Sequence, residues 1–300
     1  MVPLLAACAG ASLLAAPQLP VFRAGVDLVT VGVTVTDGKG RLVTDLTAED
    51  FEVVEDGKRQ TLTDFSVGRG EPGQGPALHL GLLLDSSESM GEDISFTKTA
   101  AIQFLKAFTE AVDVTVVDFD TQVRVARYSQ REFVRVVERI RQRRATGWTA
   151  LYDAIGVYLD GAAGQDGRKI ALLYTDGGDT TSAIRYGDLI ELLKASDVTA
   201  YVIGQLDHQS ASQGTAQRAI LQQVAEITGG QAFFPTSVRD LGAAYEKVLA
   251  QIHAQYVLGY QSTNATTDGA WRKVEIKIGK KGGEYRIRSR KGYFGPYKKP

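Results

Sequence analysis

Two uninterrupted apolar runs, Leu80-Gly81-Leu82-Leu83-Leu84 and Ile170-Ala171-Leu172-Leu173-Tyr174, each break off at an aspartate-bearing polar turn. An apolar run of this length, followed by a polar turn and a 3.6-period segment, reads as a buried strand feeding a helix. Strands of that kind belong to parallel sheets covered by helices on both faces. Ligands of such sheets bind outside the carboxyl ends of the strands. The first turn, Asp85-Ser86-Ser87-Glu88-Ser89, brings a carboxylate and the hydroxyls of Ser87 and Ser89 to that edge. Hard oxygen donors at alternate positions, without His or Cys, suit Mg²⁺ or Mn²⁺ better than zinc. Asp and Ser are also ordinary helix N-caps, so the residues of this turn alone leave both readings open.

The segment 77–253 alternates strand and helix patterns. Its strands are predicted at 78–84, 114–119, 123–128, 170–176, 198–203 and 231–234, its helices at 95–108, 133–142, 149–162, 188–195, 216–228 and 241–253. Only Asp120-Thr121-Gln122 separates the second and third strands. That is too short for a crossover, so they form a hairpin and set one antiparallel edge strand on the sheet. Arg131, Arg135, Arg139, Arg143 and Arg144 recur along the 133–142 helix and just past it, and read as a solvated face paired with Glu132 and Glu138.

The flanks have a period of two. Val29, Val31, Val33 and Val35 alternate with Thr30, Gly32, Thr34 and Thr36, and Asp37-Gly38 and Asp56-Gly57 are hairpin signals. Thr47 is placed to cap a short helical turn before Phe51. Residues 68–76 hold four Gly and two Pro and read as a linker. After His253, Tyr256, Leu258 and Tyr260 alternate, and Val274, Ile276 and Ile278 follow, which predicts three strands with a basic outer face. Each flank is too short to bury a core alone. The expected organisation is a leader (1–20), a β-segment (21–67), the linker (68–76), an α/β domain (77–253) and a β-tail (254–300) that pairs with 21–67. The fold class is α/β: a doubly wound, mostly parallel sheet flanked by a small β-sandwich-like domain built from both chain ends.

Three stretches together carry a more specific signal: Asp85 to Ser89, Thr146 to Ala154 (a loop opening a helix), and Ile170 to Asp179 (a buried strand ending in an acidic, Gly-bearing turn). In order, spacing and strand context they resemble the metal-ion-dependent adhesion site of von Willebrand factor A domains. The resemblance implies a metal set of Asp85, Ser87, Ser89, Thr149 and Asp176, with Mg²⁺ or Mn²⁺ as the cofactor. It further implies a protein partner whose carboxylate takes an open position on the ion. The flanks add a second resemblance, to exported bacterial proteins related to this family, through Asp50-Phe51, Glu55-Asp56-Gly57 and Lys291-Gly292-Tyr293-Phe294.

The remaining sequence narrows the function classes. A formal net charge of -1 gives the chain no global electrostatic preference, and nothing in it argues for nucleic acid, whose binders normally show a strongly basic domain or face. No G-x-x-x-x-G-K-[ST] or G-x-S-x-G motif occurs, and the single cysteine is Cys8, so P-loop and nucleophilic hydrolase chemistry lack their parts. His79 and His253 lie within predicted elements and read as packed or surface imidazoles. A metal-dependent hydrolase would need a general base, and Glu88 and Asp179 are the extra acids at the motif edges. The expectation is therefore a binding protein, with a hydrolase on the same loops as the alternative and an assembly scaffold as a third reading. Residues 2–16 are small and apolar, like the h-region of an export leader, and no stretch reaches the ~18 residues of a membrane helix. Leu5-Ala6-Ala7-Cys8 also resembles a lipobox, which would make Cys8 a lipid anchor. The expected location is the periplasm, the envelope or the exterior.

Overall fold

The computed structural model describes residues 28–68, 76–91, 94–207, 209–279 and 284–298. The leader with Cys8, most of the linker and His208 lie outside the described residues. Strand β1 (Leu28–Asp37) buries Val29, Val31, Val33 and Val35 as alternation requires. Thr47 and Asp50 then form a reciprocal capping box around a short 3₁₀ turn. A tight hairpin joins β2 (Phe51–Glu55) to β3 (Lys58–Gln60). Its corner residues Asp56 and Gly57 both have positive φ, 46° and 81°, which matches the right-handed twist of the strands. Strand β4 (Leu62–Val67) closes the N-terminal flank.

The α/β half follows in chain order. It comprises β5 (Leu78–Asp85), α1 (Ile94–Ala107), β6 (Asp113–Phe119), β7 (Val123–Ser129), α2 (Phe133–Gln142) and α3 (Leu151–Ala163). Next come β8 (Arg168–Thr175), α4 (Tyr186–Ala195), β9 (Thr199–Gly204), α5 (Ala211–Ile227), β10 (Ala232–Phe233) and α6 (Val238–Ala254). The six strands lie in the order β10-β9-β8-β5-β6-β7, parallel except for β7, which pairs antiparallel with β6. All eight residues of β5 are buried. Alternate residues face opposite layers: Leu80, Leu82 and Leu84 pack with residues of α1, α2 and α6, whereas Leu83 packs with residues of α3, α4 and α5. Gly81 interrupts the run because a Cβ there would lie 2.3 Å from the ring of Tyr158.

The tail forms β11 (Tyr256–Gln261), β12 (Trp271–Ile278), β13 (Tyr285–Arg288) and β14 (Gly292–Phe294). These are four strands rather than three, and they are shared between two antiparallel sheets ordered β13-β1-β11-β4 and β14-β12-β2-β3. Both sheets therefore mix residues from the two chain ends. Val31, Val33, Phe51, Val53, Tyr256, Leu258, Tyr260 and Val274 form one core between them. Lys273 and Lys277 are exposed on the outer face of β12 as expected, whereas Arg272 shares the inward face of Val274 and is only 2% exposed. Its guanidinium donates to Ser262 Oγ at 3.1 Å, to Asn264 O at 2.9 Å and to Thr266 O at 2.5 Å.

Glu55, from the second hairpin signal, is the carboxylate that answers this buried guanidinium. It is buried and accepts hydroxyl hydrogen bonds from Tyr260 and Tyr293, both at 2.8 Å, and from Ser262 at 2.5 Å. All three donors come from the tail, and Arg272 lies 3.8 Å from the carboxylate. Asp56 adds a bond from Lys273 N at 2.8 Å. Removing one partner of a buried charge network leaves the others uncompensated. Glu55→Ala should therefore lower the unfolding free energy by about 3–5 kcal/mol, measured by urea denaturation of the β-sandwich tyrosine signal. A loss below about 1 kcal/mol would mean that this clasp contributes little.

Candidate metal centre

Strands β5 and β8 are neighbours, and the connections leaving them run to opposite sides of the sheet. That is the topological switch point, where the loops after two strands part and leave a crevice. Asp85 is the last residue of β5 and is 0% exposed. Its Oδ1 accepts from the backbone N–H of Ser87 at 2.9 Å and from the Ser87 hydroxyl at 2.6 Å. Its Oδ2 accepts from the Thr175 hydroxyl at 2.6 Å. Burial, and then the nearby charge of Asp176, push the Asp85 carboxyl up to about 6, with the Ser87 and Thr175 hydrogen bonds opposing. Because Ser87 donates its hydrogen inward to Asp85, its oxygen lone pairs remain as acceptors. Ser89 Oγ lies 3.1 Å from that oxygen, and Ser89 is exposed at the mouth.

Backbone bonds lace the three loops together. Thr146 N donates to Ser86 O at 2.8 Å, and Glu88 N to Gly147 O at 3.1 Å. Thr149 is buried, and its carbonyl accepts from Thr180 N at 2.9 Å and Thr181 N at 3.2 Å. Thr149 N in turn donates to Thr180 Oγ1 at 2.9 Å. Asp176 follows β8, and its carbonyl accepts from Gln209 Nε2 at 2.7 Å. Gly177 turns the chain at φ 89° and donates its N–H to Thr175 Oγ1 at 3.0 Å. All five residues singled out in the sequence thus lie at the carboxyl edge of the sheet, on loops bonded to one another. Thr149 stands two residues before α3, outside the helix predicted to start there.

The two extra acids have other placements. Glu88 is exposed. Asp179 accepts from Tyr152 N at 3.2 Å and from Ser182 Oγ at 2.5 Å, so it caps the start of α3. His79, with its ring nitrogens 3.0 Å from Asp113 Oδ2 and 3.0 Å from Asp166 O, sits near the opposite edge of the sheet. A cleft of about 660 Å³ lined by Gln231, Gln251 and Arg288 opens beside the start of β10 and holds none of these residues.

Two residues of the site went unread in the sequence. Thr175 looks like the end of an apolar strand, yet its hydroxyl is the partner of Asp85 Oδ2. Arg143 was placed on the solvated face of α2 but is 6% exposed, with its guanidinium against Leu84, Asp85 and Ser86. Its spacing from Val136 and Ile140, both buried at 0%, marks the inward face and could have revealed it. Burial holds Arg143 below its ordinary value, while Asp118 and then Asp85 act in the opposite sense.

A divalent ion suits this donor set. Two carboxylates and three hydroxyls offer the hard oxygen donors that Mg²⁺ and Mn²⁺ prefer. Among the described residues no cluster of three or more His, Cys, Asp or Glu forms, so a site richer in charge is not present among them. Thr175→Val would leave the buried Asp85 with one donor fewer. It should cost about 1–3 kcal/mol of stability in chelator, read from urea denaturation, and an unchanged midpoint would show that this hydroxyl is dispensable.

Several solved structures are similar to this chain. A von Willebrand factor type A protein from Catenulispora acidiphila superposes with a TM-score of 0.50 at 13% identity, over 83% of this chain and 74% of that one. The aerotolerance-related membrane protein of Bacteroides fragilis NCTC 9343 gives 0.47 at 15% identity, over 59% and 98%. The vWF domain of the type V pili tip protein Mfa5 from Porphyromonas gingivalis gives 0.49 at 13% identity, over 59% and 95%. At 13% identity the first of these superpositions speaks to fold alone. No curated protein matches the chain. A family model, the von Willebrand factor type A domain, matches residues 79–251, more than half of the sequence, and the chain belongs to that family.

Proposed function

We propose that the chain is a metal-ion-dependent binding protein that captures a carboxylate of a protein partner at the Asp85 edge, in an adhesion or scaffold role. The observation that carries this reading is the wholly buried Asp85 carboxylate, tied to Ser87 and Thr175 with Asp176 close by. Two like charges gathered at the edge of an apolar core are costly unless a cation joins them. Ser87, Ser89 and Thr149 would hold a Mg²⁺ or Mn²⁺ ion directly, and Asp85 and Asp176 would balance its charge. Such an ion, bound mostly by neutral oxygens, supplies an electrophilic position for a partner's carboxylate.

The hydrolase alternative finds less support. Catalysis would need a base within reach of a bound water, and Asp179 is already committed to the start of α3 while Glu88 faces solvent. The leader-like residues 1–20 motivate a site of action outside the cytoplasm, in the envelope or beyond, with Cys8 as a candidate anchor. Among the described residues no helix is long and apolar enough to cross a membrane.

Mn²⁺ titration followed by electron paramagnetic resonance should show one binding event, and Asp85→Ala should abolish it while the far-ultraviolet spectrum stays intact. Wild-type affinity in that variant would sink the metal assignment. Partner capture from envelope extract should depend on Mg²⁺ and be lost in chelator. Turnover on phosphoester, peptide or glycoside panels that disappears in Asp176→Ala would favour the hydrolase instead.

A further inference from the structure

Arg143 is the first residue past α2, and its side chain turns back under the loop that carries Asp85. Nη2 donates to Leu84 O at 2.7 Å, to Asp85 O at 2.5 Å and to Ser86 Oγ at 2.7 Å. Nε donates to the same Ser86 hydroxyl at 3.2 Å and lies 3.1 Å from Asp118 Oδ1. Arg139, one turn earlier, binds the other oxygen of Asp118 at 2.6 Å, so the carboxylate is shared by both guanidinium groups. Asp118 pairs with Leu84 across β5 and β6, and Ser86 N donates to Phe119 O at 2.7 Å. The first loop is therefore held on one side by β6 and from below by a buried fork of donors.

Burying a guanidinium is expensive, and a packed apolar side chain of similar volume would fill the space at lower cost. What an apolar side chain cannot do is collect two carbonyls and a hydroxyl at fixed angles. Those three acceptors belong to Leu84, Asp85 and Ser86, the residues that aim the Asp85 carboxylate and lead to the Ser87 hydroxyl. A lysine could not do it either, since an ammonium on a flexible stem lacks the planar fork.

We propose that Arg143 is a positioning residue for the metal centre, fixing the Leu84-Asp85-Ser86 backbone so that Asp85 and Ser87 are set in place before an ion arrives. This rests on the metal reading above for its affinity arm, but the hold on the loop stands without it. No contact between Arg143 and the ion is required. The geometry of the fork, rather than its charge alone, is what the loop uses.

The test uses the full chain with Arg143→Gln, Arg143→Lys and Ser86→Ala. Mn²⁺ affinity is read by electron paramagnetic resonance, and amide exchange at Ser86 and Ser87 by hydrogen–deuterium exchange in chelator. Arg143→Gln should weaken Mn²⁺ binding at least tenfold and speed exchange of the Ser87 amide, with helix content retained. Arg143→Lys should fall near Arg143→Gln; full rescue by lysine would show a role of charge only and overturn the proposal. Ser86→Ala, which removes one acceptor and leaves the buried charge paired, should give an intermediate change in both readouts. It decides the matter if the Arg143 variants do not fold, and wild-type behaviour in Ser86→Ala would then refute the hold. Should the wild-type chain take up no Mn²⁺, the metal reading fails, and unchanged exchange in Arg143→Gln would separately refute the positioning role.

Discussion

The chain passes between its β-sandwich and its α/β half twice, and both passages are clasped at one point. Gly68 N donates to Gln255 O at 2.6 Å, which joins the outgoing strand to the returning one. Arg168, the first residue of β8, donates to Gly68 O at 3.2 Å, to Ile252 O at 3.1 Å and to Gln255 Oε1 at 2.9 Å. Gly68 is required there, because a Cβ would lie 2.2 Å from Ile252 O. Both sheets of the sandwich need strands from both ends, so the insertion must begin and end close together. The clasp meets that need, and its arginine starts the strand whose far end carries Thr175 and Asp176. One extended β8, about 25 Å at the usual rise per residue, links the joint to the candidate metal edge without a loop between them.

At that far edge the dominant constraint is a carboxylate with no exposed surface. A buried charge survives only where hydrogen bonds or opposite charge answer it. Asp85 has two hydroxyls and one amide on its side chain and a guanidinium on its backbone carbonyl. The surrounding loops inherit their conformations from these bonds: Ser87 must turn back, Thr175 must point along the sheet edge, and Gly177 must adopt positive φ behind it. Thr175, Gly177 and Arg143 thus help to organise the site beside Ser87, although none of the three belongs to the proposed metal set.

Much of this was legible because local pattern and tertiary fold agree. The apolar runs at 80–84 and 170–174 could only be central strands, the three-residue gap at 120–122 could only be a hairpin, and Asp56-Gly57 specified its own turn. Thr47 was visible as a cap for the same reason, whereas its reciprocal bond with Asp50 emerged only in the structure. What stayed hidden depends on partners far away in sequence. Arg272 falls on the inward alternation of β12 with Val274, but the groups that answer its buried charge, Glu55 and the Ser262–Thr266 loop, lie far from it in sequence. Gly292–Phe294 is too short to announce a strand before β12 is there to pair with it. The start of α5 at Ala211 was missed because its first turn is polar and exposed, without apolar spacing to mark it. Arg143 was hidden among four other arginines, where charge pattern outweighed the helical period.

The arrangement of the mouth bears on capture against catalysis. Gly147, at φ 72°, lets the second loop pass Thr121, whose Oγ1 accepts from Trp148 N at 2.8 Å. A Cβ at Gly147 would lie 2.5 Å from that same oxygen, so this corner is fixed by sequence. Beyond it Trp148 is 67% exposed, immediately before Thr149. A catalytic site gains by excluding water from its reacting atoms, whereas this edge is open, with Ser89 and Trp148 both facing solvent. Exposed aromatic side chains beside a small polar mouth are typical of protein recognition surfaces, where a large rigid ring contributes contact area at low entropic cost. On the proposed function, a partner's carboxylate seated among the hydroxyls would bring its own neighbouring residues against that ring. Affinity would then come from the charge at the centre, and discrimination between partners from what lies beside Trp148.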